Sequence, residues 1–388
     1  MLCLASRERG AWSDLLVYAE WATHRVVILS ERGLPEYPPA ARLVLLSAAW
    51  ANDTVVYAAV FLASMAVIDA FVLLRLRRLA RSTGREGGVV VWVLAPAMLG
   101  SVSWARFDMV AVATVAVAMT LQSVRARSAL AVVAILVKAW PLVLLPTLVG
   151  GERRARTSAL TVAAALLGFV SLGWVPGGTA FSWVSWASDR GIQIESLPGL
   201  ALALSGLAGS GAQVSYAFGS WQIALPGSAD SVLAAALLTL GVLAVCFLFR
   251  SGLRTSSDRI ATLLATLTVT VVLLTSKVFS PQYLLWLVGP VAVLLTSHEL
   301  RRPRLIAALV LLCAAATHAV YPLTYTALLD LHPVAVGLLA IRTVLLVGVA
   351  TTLALELREP PLSATWSSVA CIDAGEGKRA TLEPSPAS

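Results

Sequence analysis

The chain has 388 residues, of which 58% are hydrophobic and only 13% charged, and its mean hydropathy is +0.83. Soluble domains carry roughly 25% charged residues and cover their surfaces with them. This composition therefore excludes a soluble enzyme, a disordered chain and a nucleic-acid binder, and it turns the net charge of +8 into a question of which membrane face the charges occupy.

In chain order, residues 1–13 hold charges in place of an apolar core, so no cleavable signal is expected, and the segment 1–39 is expected on the outer side. Residues 40–50, after Pro38-Pro39, are apolar but too short to cross. Runs near the ~20 residues that a helix needs to cross the hydrocarbon follow at 55–76, 89–105, 107–123, 157–176, 231–250, 260–276, 281–297, 305–322 and 334–356. The run 128–149 is interrupted by Lys138, Pro141 and Pro146 and lies between two basic loops. A single crossing would put one of those loops outside, so the run is expected to be two half-helices that enter and return, with the break covered by protein or a watery cavity. The segment 177–230 holds Trp183, Trp186 and Trp221 and an apolar stretch at 197–208, and is expected along the outer leaflet. The residues from 357, with Pro360-Pro361 and Pro384, are expected to be a disordered cytoplasmic tail. The expected fold is all-α: one polytopic membrane helix bundle over 1–356, with about nine to eleven spans including the half-helix pair.

Arginine clusters at 75–85, 125–127, 153–156, 250–259 and 301–304 follow alternate spans and are expected to face the cytoplasm. Split this way, the charge is +10 inside, −3 outside and +1 within the membrane. Cys3, Cys246, Cys313 and Cys371 are far apart, two of them inside apolar runs, and suggest neither a disulfide framework nor a metal site. His24, His298 and His332 have no metal-ligand spacing.

Polar residues are costly in such a chain, and a concentrated set falls on the outer side. Asp14 and Tyr18 would share a helix face. Glu36-Tyr37-Pro38-Pro39 follows, then Arg106-Phe107-Asp108 at the junction of two spans. Arg190, Gln193 and Glu195 lie in the large outer segment, and Lys277 precedes the Ser280-Pro281-Gln282-Tyr283 turn. A carboxylate for acid–base work beside three cations, Arg106, Arg190 and Lys277, is what a site handling a lipid phosphate needs. Lys138 at the half-helix break and His318 near the outer end of a span are further candidates. Asp69 is expected to pair with Arg75 or Arg77, and Arg342 to pair inside the bundle.

The ordered set Asp14-x-x-x-Tyr18, Glu36-Tyr37-Pro38-Pro39, Arg106-Phe107-Asp108, Lys138-Ala139-Trp140-Pro141, Arg190 to Ser196 and Ser280-Pro281-Gln282-Tyr283 resembles glycosyltransferase family 87, the polyprenyl-phosphate-mannose-dependent mannosyltransferases of C-type fold. The resemblance implies a multi-pass plasma-membrane enzyme with an extracytoplasmic site. It implies a polyprenyl-phosphate-linked sugar donor, a lipid or glycan acceptor, no nucleotide sugar and no nucleic acid. Asp14 matches the acid that serves as base, and the family pattern implies an inverting displacement. Arg106, Arg190 and Lys277 would stabilise the leaving phosphate, while Tyr18, Glu36, Tyr37, Asp108, Gln193, Glu195 and Gln282 would meet sugar or acceptor, with Trp183 and Trp186 as stacking surface. No cofactor is implied, and a divalent ion at Asp14 or Asp108 stays open. The family has a transmembrane helix before its first outer loop, whereas thirteen residues precede Asp14 here, and the run from Gly33 to Glu36 is shorter than usual. Two alternative readings stand beside the enzyme: a transporter or flippase of a small or lipid-linked molecule, and a catalytically inactive relative.

Overall fold

The structure is a computed structural model that describes residues 9–23, 34–51, 53–149, 153–175 and 178–359. Cys3, His24, Cys371 and the expected tail beyond 359 lie outside the described residues. The architecture is a helix bundle with one small hairpin. Among the described residues, five helices are long and apolar enough to cross a membrane: α3 (Thr54–Thr83), α10 (Ala229–Arg254), α11 (Asp258–Thr275), α13 (Pro303–His318, prolonged to Leu323) and α14 (Pro333–Arg358). Shorter helices complete the bundle: α1 (Arg9–Thr23), α2 (Pro39–Leu46), α4 (Gly87–Leu99), α5 (Asp108–Met119), α6 (Val124–Val137), α7 (Arg154–Ser171), α8 (Ser182–Asp189), α9 (Leu197–Leu207) and α12 (Leu284–Ser297). Each of the nine runs expected to span contains a helix of this set.

Local chemistry sets the ends. Asp53 caps α3, its Oδ1 accepting from the N–H groups of Val55 and Val56 at 2.9 Å each, and Gly84 closes the helix at φ 70°. The 30 residues of α3 give a rod of about 45 Å. Helix α14 opens with Pro333 in its first turn and the His332 ring accepting from the N–H of Val334. It continues through Arg358, held there by buried Glu356, which accepts from the backbone N–H groups of Arg301 and Arg302 and from Arg259.

α11 and α12 form the centre. The threonines of α11 are tolerated there because Thr262, Thr266, Thr268 and Thr270 donate to carbonyls four residues back. α12 packs on α4 where Gly88 leaves no room: a Cβ there would lie 1.9 Å from the carbonyl oxygen of Ala292. By contrast α10 turns most of its surface outward, with Leu240, Leu243 and Phe247 exposed, as a lipid-facing helix does.

The segment 128–149 folds back on itself. α6 brings Lys138 to the end of the bundle where Asp108 begins α5. Past Pro141 the chain returns as a 3₁₀ turn (Trp140–Leu144) and one helical turn (Leu145–Leu148), and Thr147 and Leu148 reach the opposite end beside Gln122 and Arg127. Asp69 does not pair with Arg75 or Arg77. It accepts from the indole N–H groups of Trp92 (2.7 Å) and Trp104 (3.0 Å), while Arg75 donates to Thr120. Six and eight residues of helix rise about 9 and 12 Å, too far for a direct pair, and the indoles of buried Trp92 and half-buried Trp104 need an acceptor.

Candidate active site

One end of the bundle holds a cavity of about 350 Å³. Asp14, Tyr18, Glu36, Tyr37, Arg106, Asp108, Lys138, Arg190, Gln193, Glu195 and Gln282 all line it, so the structure brings together residues spread over most of the sequence.

The floor is the turn from α4 to α5. Gly100 ends α4 at φ 76°, and the His318 ring occupies the space its Cβ would need, at 2.8 Å. Asp108 is 1% exposed and takes both Lys138 Nζ contacts, at 2.8 and 2.9 Å, and the Trp286 indole N–H at 2.7 Å. Lys138 stands where α6 breaks, its Nζ 4.9 Å from the Phe107 ring centre and 5.0 Å from that of Tyr283. Below it Trp286 stacks between Tyr283 and Trp140, with ring centres 4.1 and 5.3 Å apart.

One wall is α1. Its i, i+4 spacing puts Asp14 and Tyr18 on the cavity side, and Asp14 forms an ion pair with Arg106. The Tyr18 and Tyr37 hydroxyls lie 3.2 Å apart, and burial pushes both well above the ordinary phenol range, so both keep their protons. Burial also raises the Glu36 carboxyl, with Arg190 and Arg42 opposing.

The opposite wall is the segment 190–196, which turns at its end where the Ser196 N–H donates to the Gln193 carbonyl (3.0 Å). The Gln193 N–H donates to the carbonyl of Lys277 (2.9 Å) and the Ile194 N–H to that of Trp221 (3.1 Å). Lys277 itself does not line the cavity. Its Nζ donates to the carbonyls of Ser188 (2.9 Å) and Arg190 (2.5 Å), so the ammonium holds the loop that carries Arg190. His318 does not line it either, because its Nδ1 lies 3.2 Å from the Leu99 carbonyl oxygen against Gly100. Trp183 packs on Phe169 and donates to Ala180, whereas Trp186 reaches the cavity. Lys277, His318 and Trp183 were placed by position along the chain, which does not reveal that a backbone carbonyl is nearer than the cavity.

Glu195 is held from behind. Arg342 on α14 approaches its carboxylate at 3.5 Å, donates to its backbone carbonyl, and lies 4.0 Å over the Phe279 ring. Burial nevertheless outweighs Arg342 and pushes the Glu195 carboxyl up to about 7. A raised carboxyl stabilises the fold below its ordinary value of 4.5, and that contribution is lost as pH rises through about 7. Detergent-solubilised protein is therefore expected to unfold at a lower temperature at pH 8 than at pH 5.5, and Glu195→Gln to flatten more than half of that difference. An unchanged pH dependence in the variant would assign the effect elsewhere.

Sequence reasoning missed the hairpin β1 (Gln213–Ala217) and β2 (Ser220–Ala224), which supplies Tyr216, Phe218 and Trp221, and also Tyr321 and Tyr325. The hairpin had a legible signal, since polar and apolar residues alternate on both sides of Phe218-Gly219.

The family model described as glycosyltransferase family 87 matches residues 36–281, more than half of the chain. The match spans the cavity residues from Glu36 to Pro281 and leaves out those before and after, Asp14, Val17 and Tyr18 on one side and Gln282, Tyr283, Tyr321 and Tyr325 on the other. No curated protein and no solved structure matches the chain. With a family match of this extent on a bundle of apolar helices, the chain belongs to glycosyltransferase family 87 and is a multi-pass membrane glycosyltransferase.

Proposed function

We propose that the chain moves mannose from a polyprenyl-phosphate donor to a hydroxyl of a lipid or glycan acceptor, at the extracytoplasmic face of the plasma membrane. The observation that carries this reading is the meeting of the Asp14 carboxylate with the cations Arg106 and Arg190 in a cavity at the end opposite the arginine clusters. The acceptor oxygen attacks the anomeric carbon from the face opposite the phosphate, and its proton passes to Asp14. The bond to the phosphate oxygen breaks, and the pair of electrons leaves with the polyprenyl phosphate, giving inversion. A phosphate leaves without a proton, so the fixed cations Arg106 and Arg190 take up the developing charge. Lys277 acts by holding Arg190, and the Lys138–Asp108 pair by fixing the floor.

The test is incubation of membranes carrying the protein with radiolabelled polyprenyl-phosphate mannose and a lipid-extract acceptor. Label is expected in acceptor lipids in proportion to protein. Label that moves only from a nucleotide sugar, with the polyprenyl donor inert, would overturn the donor assignment.

A further inference from the structure

The mechanism above uses the charged floor and leaves the mouth of the cavity unexplained. There the hairpin turns over Phe218 and Gly219, both at positive φ (51° and 71°), as the two central residues of a tight hairpin turn require. Glycine accepts that conformation readily. A phenylalanine rarely does, yet its ring lines the cavity edge-on to Trp186, with ring centres 5.2 Å apart. Tyr216 and Trp221 are direct cross-strand partners, so they share a face, with ring centres 5.3 Å apart. The same face carries Val214 and Ile223, which pack on the apolar cluster around Ile194 and Val320. That packing anchors the hairpin, while Tyr216 remains 62% exposed at the cavity. An isolated bridge between Gln193 and Gln222 and the hydrogen bonds of Ile194 to Trp221 and of Ile223 to Ile192 tie segment 192–194 to the hairpin.

The cavity that Tyr216 and Trp221 line also holds buried polar atoms without a hydrogen-bond partner. Among the described residues these include the amide oxygens of Gln193 (3% exposed) and Gln282 (5% exposed) and the indole N–H of Trp186. All three residues line the cavity. Buried polar groups demand partners. The ligand that satisfies this set must offer hydroxyls that both donate and accept, together with an apolar face for the rings. A phosphate at neutral pH has little to donate to two amide oxygens, and a hydrocarbon chain would leave all three atoms unsatisfied. A pyranose ring meets both demands: its hydroxyls serve the amides and the indole, and the C–H groups on one face lie against the electron-rich face of an aromatic ring.

We propose that the hairpin, through Tyr216 and Trp221 with Gln193 and Gln282, is an acceptor-sugar subsite, so that the enzyme selects its acceptor by a pyranose ring at the cavity mouth. This rests on the transfer reading given above. Two measurements separate the two claims. The first is saturation-transfer NMR of methyl mannoside, glucoside and galactoside against the detergent-solubilised protein, which needs no turnover. Ring C–H protons of at least one glycoside are expected to receive saturation, with the signal lost several-fold in Tyr216→Ala and restored in Tyr216→Phe. The second is the KM split in the transfer assay. Tyr216→Ala is expected to raise the acceptor KM about three- to tenfold, with the donor KM within twofold of wild type. Trp221→Phe keeps a ring on the packed face and is expected to fold normally with a smaller change. No saturation transfer to any of the three glycosides, or an equal rise in both KM values, would overturn the subsite while leaving the transfer reading intact. Glycoside binding that depends on Tyr216 in a protein that transfers nothing would retain the subsite and remove the enzyme.

Discussion

Asp14→Asn is expected to transfer sugar about 10²- to 10⁴-fold more slowly than the wild type, the contribution of a positioned general base. Asparagine has nearly the same shape and can still accept a hydrogen bond from Arg106, but it cannot take the acceptor proton. Helix α1 should be little disturbed, since its packing runs through Leu15, Tyr18, Ala19 and Ala22, whereas the Asp14 side chain is 32% exposed. The donor KM is therefore expected to stay within a few-fold of the wild type while kcat falls. Arg106→Gln is expected to behave differently. It frees Asp14 from its ion pair and also removes a cation from the leaving phosphate, so kcat falls and the donor KM rises. The measurement is initial rates of label transfer by membranes normalised to folded protein. More than a tenth of wild-type activity in Asp14→Asn would remove this residue as the base. A loss in donor affinity equal to that in Arg106→Gln would make Asp14 only the partner that holds the arginine.

The features legible in the sequence were those that depend on nearest neighbours along the chain. Apolar runs marked the helices because the hydrocarbon sets a minimum length, and the reversal of the chain after Lys138 followed from Lys138, Pro141 and Pro146. The Asp14–Tyr18 face followed from helical spacing alone. The misplaced residues depend on contacts between distant parts of the chain. Lys277 is used up by carbonyls 87 and 89 residues away, and His318 by one 219 residues away. Local composition cannot rank a carbonyl in a neighbouring loop against a cavity. The hairpin was hidden for another reason: in a segment framed by tryptophans and flanked by apolar helices, its ten strand residues were subsumed in the expectation of a surface lying on lipid.

Lys138→Met is expected to destabilise the protein by about 3–5 kcal/mol, the cost of stranding a buried charge after its partner is removed. Methionine fills much of the same space beside Phe107 and Tyr283, so the loss is electrostatic and not a cavity. The carboxylate left behind has a side chain only 2% exposed and one remaining donor, the Trp286 indole. The reverse variant is milder. Asp108→Asn keeps an oxygen for Trp286 and leaves Lys138, whose side chain is 16% exposed, able to turn toward the cavity. Its expected cost is about half or less of that of Lys138→Met. The double variant Lys138→Met/Asp108→Asn has no buried charge to strand and is expected to recover most of the stability lost in Lys138→Met, so the two changes are strongly non-additive. Unfolding of the purified protein by sodium dodecyl sulfate in mixed micelles, followed by tryptophan fluorescence, measures all three. Equal costs for the two single variants, or additive costs in the double, would show that the pair is not the element holding the broken helix over the floor of the cavity. The asymmetry itself is the diagnostic, because a pair fully exposed to water would cost little from either side.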